Sequence, residues 1–395
     1  MQVVTHEDTV SILEYFDDLE DPRSSINRQH LLGDLIVISV CGVLAGADGP
    51  KAIGVWARAH AEWLQQYLKL PHGIPSHDTI GRLLAALQPA AFQACFEQWI
   101  ASLRQGLDGG IADEVIAIDG KALRRSHNRK KSLGPLFLVS AWSVQQGISL
   151  GQLATEEKSN EITAIPALID QLELNSAIVT IDAAGCQKNI AAKIINKGGD
   201  YLLALKGNQG NLHQAVMDHV IGQMENDFAT TTVDRYVETM KGHGREDTVE
   251  YFHLPVPQML PGASLWKELR TIGVAVRTSL QDGKETTDIR FFISSLSLGV
   301  RRFAEACRSH WGIENSLHWC LDVTFREDES RVRDRFAADN LAWLKRFAIS
   351  LLKQQTDKES IAMRRRMAGW NVDYLMQVLA SKLFSPRLPW PPTTR

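Results

Sequence analysis

The chain has 395 residues, 44% of them hydrophobic, enough to bury a substantial core in two or three domains and to exclude a disordered protein. With 43 basic against 46 acidic residues the formal charge is −3, so contact with nucleic acid has to come from local patches. The five cysteines form no Cys-x-x-Cys pair, which excludes a zinc ribbon or a disulfide framework and points to a reducing, cytoplasmic compartment.

The N-terminus is acidic and lacks the basic-then-apolar layout of a signal peptide. The longest apolar run, 35–47, is broken by Ser39 and Gly42 and is too short to span a bilayer, so no membrane partner is expected. Residues 1–108 read as a helical N-terminal domain with a possible role in DNA binding, because apolar residues recur every three or four positions through 31–44, 53–67 and 90–103. Within it, Ser76 or Asp78 caps a periodic run and a further helix follows Pro89. That pair is either a helix-turn-helix or a plain helical hairpin, with Arg82 alone projecting positive charge. The glycine-rich spacer 105–113 marks a boundary.

Residues 109–225 carry the first part of a catalytic core. The run Val115-Ile116-Ala117-Ile118 leads into Asp119-Gly120-Lys121 and reads as a buried strand ending on a carboxylate. A second apolar run ends on Asp182. Each aspartate alone could simply start a turn, but two at strand ends suggest a divalent cation. The loop 121–131, with Lys121, Arg124, Arg125, Arg129, Lys130 and Lys131, is the densest positive patch, placed to hold a phosphate backbone. Residues 136–144 and 148–155 form a hairpin, a helix capped by Ser159 or Asn160 runs to 172, and another spans 187–196. A fifth strand, 200–205, ends at Lys206-Gly207-Asn208-Gln209. The order βββαβαβ is that of an α/β, RNase H-like mixed-sheet core.

Residues 226–298 change to short β-rich runs and read as an insertion, in which His243-Gly244-Arg245 is either a turn reaching the site or DNA, or an ordinary exposed turn. Residues 299–355 return to helix and complete the core, with a period nearly unbroken from 302 to 353. There His310, Glu314 and His318 stand at four-residue steps on one face. Glu314 is the third carboxylate; Asp322, Glu327, Asp328 and Glu329 are its rivals. An oxygen-rich site suits magnesium or manganese, and the zinc motif His-Glu-x-x-His is absent. His310 and His318 then contact DNA or orient the carboxylate. Residues 356–395, with Arg364-Arg365-Arg366 and a proline-rich end, are a DNA-touching tail or a peripheral helix and coil.

Asp119-Gly120-Lys121, Lys158-Ser159-Asn160-Glu161-Ile162, Asp182 with Gly185-Cys186-Gln187, Leu205-Lys206-Gly207-Asn208-Gln209 and His310-Trp311-Gly312-Ile313-Glu314-Asn315 through Leu321-Asp322-Val323 together resemble one family. It is that of the DDE transposases of bacterial insertion sequences, in the H-repeat-associated, Rhs-linked branch. The resemblance implies Asp119, Asp182 and Glu314 as catalytic, metal-binding residues, with two Mg2+ or Mn2+ ions per site. It also implies a β-rich insertion before the glutamate, and the interval from Asp182 to Glu314 is about twice that between the aspartates. Where the wider superfamily carries Tyr, Arg and Lys around the final acid, this chain has Cys307, His310 and Leu321.

The expected chemistry is metal-dependent cleavage at the element's ends and strand transfer into target DNA. Lys121, Arg124, Arg125, Lys206, Asn208, His310, Asn315 and His318 are the expected nucleic-acid contacts, and a homodimer on DNA is the expected assembly. A nuclease of the same fold without strand transfer, or a catalytically silent DNA-binding derivative, are the alternatives.

Overall fold

The structure is a computed structural model that describes residues 12–105, 114–128, 131–155, 161–242 and 245–380. Among these residues nine strands form one sheet: β1 (Val115–Leu123), β2 (Leu136–Ser143), β3 (Ile148–Thr155), β4 (Ile178–Ile181), β5 (Asp200–Leu205), β6 (Asp234–Gly242), β7 (Arg245–Pro255), β8 (Thr271–Gln281) and β9 (Lys284–Ser294). Their order is β3-β2-β1-β4-β5-β9-β8-β7-β6. The first five are RNase H-like: β1 to β3 form an antiparallel meander, and β4 and β5 join parallel to β1 through crossover helices. Those helices are α6 (Glu161–Gln171) and α7 (Lys188–Asn196). Where β1 pairs with β4, from Val115 to Ile118, it is apolar and covered, and β4 is covered throughout, as suits parallel strands.

The β-rich stretch extends this same sheet. Its last strand, β9, pairs antiparallel with β5 through Phe291 to Ser294, and the meander β9-β8-β7-β6 continues outward from there. Of the turn expected at 243–245, only Arg245 lies within the described residues; it pairs with Asp247. The helix α8 (Gly210–Glu225) precedes the meander.

Among the described residues five α-helices precede the sheet: α1 (Leu32–Leu44), α2 (Pro50–Ala59), α3 (Ala61–Leu64), α4 (His77–Ala86) and α5 (Pro89–Gln105). Ser76 caps α4 by accepting from the Thr79 amide. Ile80, Leu83 and Leu84 of that helix are buried, and Asn340 donates to the carbonyls of Leu84 and Leu87 at 2.8 and 3.0 Å. Phe96 and Trp99 of α5 pack on Phe347 with ring centroids 4.4 and 4.7 Å apart. Both residues of that second set of anchors, Asn340 and Phe347, belong to α10 (Arg335–Lys353), which is buried along most of its length. The pair α4–α5 is therefore docked on the body of the protein, with Arg82 exposed on its outer side.

The stretch expected to be one nearly continuous helix from 302 to 353 is divided. α9 (Val300–Ile313) passes into π-helical turns at Glu314–His318 and Cys320–Thr324, then the chain leaves helix until α10. Arg326 adopts left-handed backbone (φ 48°), and Asp334 starts α10 by accepting from the Ala337 amide at 3.0 Å. Apolar periodicity alone cannot register such a break, because the segment still buries Phe325 and Glu327. After α10 come α11 (Ile361–Trp370) and α12 (Val372–Ala380). Arg364 and Arg365, in the stretch read as a DNA-touching tail or a peripheral helix and coil, are turned inward: Arg365 donates to the carbonyls of Val43 and Ala47 and stacks on Phe325. The proline-rich end, the glycine spacer 106–113, Arg129, Lys130 and the caps Ser159 and Asn160 lie outside the described residues.

Candidate active site

Ile118 of β1 pairs with Ile181 of β4, the last step of their parallel register. Asp119, still within β1, and Asp182, just past the end of β4, follow immediately, where neighbouring strands are about 4.8 Å apart. β1 does not end at Asp119, contrary to the expectation; it runs on to Leu123 because β2 continues to pair with it after β4 has stopped. Asp119 Oδ1 accepts from the Gly120 amide at 2.8 Å. Asp182 Oδ1 accepts from the amides of Ala184 and Gly185 at 3.0 and 3.2 Å, so it also starts a turn. Gly185 is held so closely that a Cβ there would sit 2.3 Å from Ile181 Cγ2.

Glu314 opens the first π-helical turn and is exposed, not buried, at the site. Helices with i→i+5 bonding are rare and occur as local distortions that often mark function. Here the Trp319 amide reaches the Glu314 carbonyl. Neither Glu314 nor Asp182 makes an ion pair among the described residues, whereas every rival for the third position is matched by a cation: Asp322, Glu327 and Asp328 by Lys121, and Glu329 by Arg326.

Burial pushes the Asp119 carboxyl up to about 7; the Gly120 amide opposes this, and the charges of Asp182, Glu314 and Glu161 add to it. Asp182 and Glu314 are thus each within electrostatic reach of Asp119. Glu161 is an addition that sequence reading did not assign. It is buried at the start of α6, and its Oε1 lies 2.4 Å from where a Cβ on residue 120 would be, so the absence of a side chain at Gly120 admits it.

The two histidines flank the acids. His318 Nδ1 lies 3.5 Å from Asp119 Oδ2, and burial, helped by the charges of Arg346 and Lys121, pushes His318 down to about 3. His310 Nδ1 is 3.2 Å from Thr180 Oγ1, and burial lowers it too, which favours the neutral ring. Next to His310, the Arg290 and Arg277 guanidiniums lie 4.9 and 6.0 Å from the Trp311 ring centre, so the outer strands also reach this edge.

The expected phosphate ligands separate into two groups. Arg124, Arg125, Lys206 and Asn315 are exposed. Asn208 is exposed but its amide donates to the Ala183 carbonyl at 2.6 Å, bracing the turn after Asp182. Lys121, expected on a phosphate, is buried and turned inward: its Nζ lies 2.6 Å from Asp322, 3.1 Å from Asp328 and 3.5 Å from Glu327. Burial works against its charge, yet those carboxylates outweigh it and raise its pKa. The signal for this lay in the sequence of α10, where Lys345 and Arg346 interrupt an apolar helix and demand a buried acid; Arg346 finds Glu327 at 2.8 Å.

Residues 111–352 match the family described as the transposase DDE domain, and residues 13–100 match the domain associated with it. The chain belongs to the DDE transposase family. It is 40% identical to YncI of Escherichia coli O157:H7 over 94% of this chain and 95% of that protein. It is 37% identical to the H repeat-associated protein YhhI of Escherichia coli K12 over 93% of this chain and 97% of that one. Both relatives are named provisionally as transposases. A solved synaptic complex of piggyBac transposase with hairpin DNA aligns over 95% of this chain and 78% of that one, at 10% identity and a TM-score of 0.41, too distant to carry an argument. Family membership gives the two aspartates a context: the pair occupies the strand edge of an RNase H-like sheet in a transposase. No helix among the described residues is long and apolar enough to cross a membrane.

Proposed function

We propose that the chain is an insertion-sequence transposase that cuts phosphodiester bonds at the element's ends and transfers the strand into target DNA, with Asp119, Asp182 and Glu314 as its catalytic triad. The observation that carries this is the shared end of the β1–β4 register, which brings two carboxylates within electrostatic reach of each other, under the charge of Glu314.

The residues present fit divalent cations. Asp119 lies under like charge from three acids, and neither Asp182 nor Glu314 has a cation paired to it among the described residues. Hard oxygen ligands of this kind suit magnesium or manganese. Among the described residues no three potential ligands are already gathered round one point. Uncompensated carboxylates repel and stand apart, so ion binding would draw them inward. When bound, two such ions supply an activated water or 3′-hydroxyl and neutralise charge at the phosphorus.

The chain's own groups do the positioning. The Gly120 amide fixes one Asp119 oxygen and neutral His318 faces the other; the Ala184 and Gly185 amides fix Asp182. Arg124, Arg125 and Lys206 are exposed cations that take DNA phosphates, and Asn315 stands beside Glu314 to do the same through its amide. Bringing two element ends together calls for two copies of the chain on DNA.

The test is incubation of purified protein with DNA carrying the element's ends and a plasmid target, in magnesium and then in EDTA, beside Asp119→Asn and Glu314→Gln. Magnesium-dependent cleavage and joined products, both lost in the variants, are expected. Cleavage without joining would assign a nuclease, and survival of cleavage in Glu314→Gln would remove that residue from the triad.

A further inference from the structure

Behind the proposed triad lies a buried network of charge that the cleavage chemistry does not use. Its centre is Lys121, which shares a face of β1 with Asp119 because side chains two apart on a strand point the same way. Lys121 Nζ reaches Asp322, Asp328 and Glu327, all of which follow Glu314 in the chain. Glu327 is 2% exposed and accepts from Arg346 Nη1 at 2.8 Å. Arg346 is wholly buried, and its Nε donates to Ser140 Oγ at 3.2 Å. Ser140 is the residue of β2 directly opposite Asp119 in the antiparallel register. The network therefore ties β1, which carries Asp119, and its neighbour β2 to the irregular segment leading away from Glu314.

That segment is anchored at its far side by Arg365, which donates to the Thr324 carbonyl and stacks on Phe325, while its ties towards Asp119 run through Lys121. It consists of π-helical turns, a left-handed Arg326 and a single 3-10 turn at Glu327–Glu329, not a continuous helix that would set its own path. We infer that Lys121 is a positioning residue, and that the Lys121–Glu327–Arg346 network sets the separation between Asp119 and Glu314 instead of binding DNA. The inference rests on the proposed metal-binding role of the triad. It accounts for a lysine turned inward among three carboxylates while Arg124 and Arg125, a few residues on, stay exposed.

The decisive comparison is Mn2+ binding, followed through the signal of the free ion, in the full chain and in Lys121→Met. A lysine acting only through its charge repels cations, so its removal would leave Mn2+ affinity unchanged or tighten it. A positioning lysine predicts the opposite, a weakening of about 10- to 100-fold, the range for residues that orient metal ligands. Lys121→Arg, which keeps the charge and the donors, should recover most of the affinity. Binding to a non-specific DNA duplex over a range of NaCl gives the second readout. The salt slope of Lys121→Met should equal that of the unaltered chain, whereas loss of a phosphate contact lowers it by about one.

Asp322→Asn, at a half-buried position 2.6 Å from Lys121 Nζ, keeps the test alive if Lys121→Met does not fold, and should weaken Mn2+ in the same direction by less. Unchanged or tighter Mn2+ binding in the variants, or a salt slope reduced by one, overturns the inference while leaving the triad intact. Mn2+ binding that ignores Asp119→Asn and Glu314→Gln in the unaltered background overturns instead the reading of the triad.

Discussion

Ile118 and Ile181 are the last paired residues of two parallel strands, and Asp119 and Asp182 leave that register together. The backbone thus delivers two acids to one place before any side-chain preference is involved. In the absence of a cation this arrangement costs stability, because a buried carboxylate under like charge favours its protonated form.

Asp119→Asn should therefore stabilise the metal-free protein at neutral pH, by about 1–3 kcal/mol. The folded-state value lies at about 7 against an ordinary 3.8. Between those pH values the folded chain keeps a proton that the unfolded chain has released, so stability falls as pH rises through the interval and levels off above it. Urea melts in EDTA at several pH values check this: the Asn variant should lose the part of the slope that belongs to Asp119. Added Mn2+ should stabilise the unaltered chain and not the variant.

Breaking the buried pair should act in the other direction. Arg346→Met leaves Glu327 buried with one guanidinium fewer and should cost about 3–5 kcal/mol by urea denaturation. Burial alone would raise Glu327, but Arg346, Lys121 and Lys345 outweigh it and hold it below the usual range. The stability it contributes is present above the ordinary glutamate value and is lost as pH falls through the lowered one. The difference between Arg346→Met and the unaltered chain should accordingly shrink in acid.

Gly185→Ala should destabilise by about 1–3 kcal/mol, the usual cost of overpacking a filled core. The added Cβ would meet Ile181 Cγ2 at 2.3 Å and Ile165 Cδ1 at 2.9 Å, both fixed in the core. Ile181→Ala in the same chain should make the second change cheaper than it is alone; simple additivity of the two in thermal melts would refute the clash.

Arg124→Ala and Lys206→Ala should each reduce the salt slope of DNA binding by about one. Arg82→Ala should leave it unchanged, because α4 is docked by its apolar side and carries no second exposed cation to build a reading surface. A drop for Arg82→Ala, measured by the same titration, would restore the helix-turn-helix reading.

Much of the core was legible because its signals are local. The apolar runs at 115–118 and 177–181 ended on aspartates, and strands and crossover helices followed in an order few folds share. Three things were not. The pairing of β9 with β5 joins residues about ninety apart, and no periodicity states which strand a distant strand will meet. The continuation of β1 past Asp119 depends on β2, a partner chosen later in the chain. The π-helical turns at Glu314 keep an apolar face, so the sequence pattern reads as ordinary helix. The burial of Lys121 was hidden for a related reason: a basic run looks uniform until tertiary contacts divide it into inward and outward members.

The buried α10 touches the first helices on one side, through Asn340 and Phe347, and the network around Asp119 on the other, through Arg346. One helix is thus common property of the two halves of the chain. A gene copy that lost its first hundred codons would not encode a smaller version of the same fold. It would leave α10 with an uncovered greasy flank, and the penalty would be felt some distance away, where Arg346 helps to hold the strands around Asp119 in place.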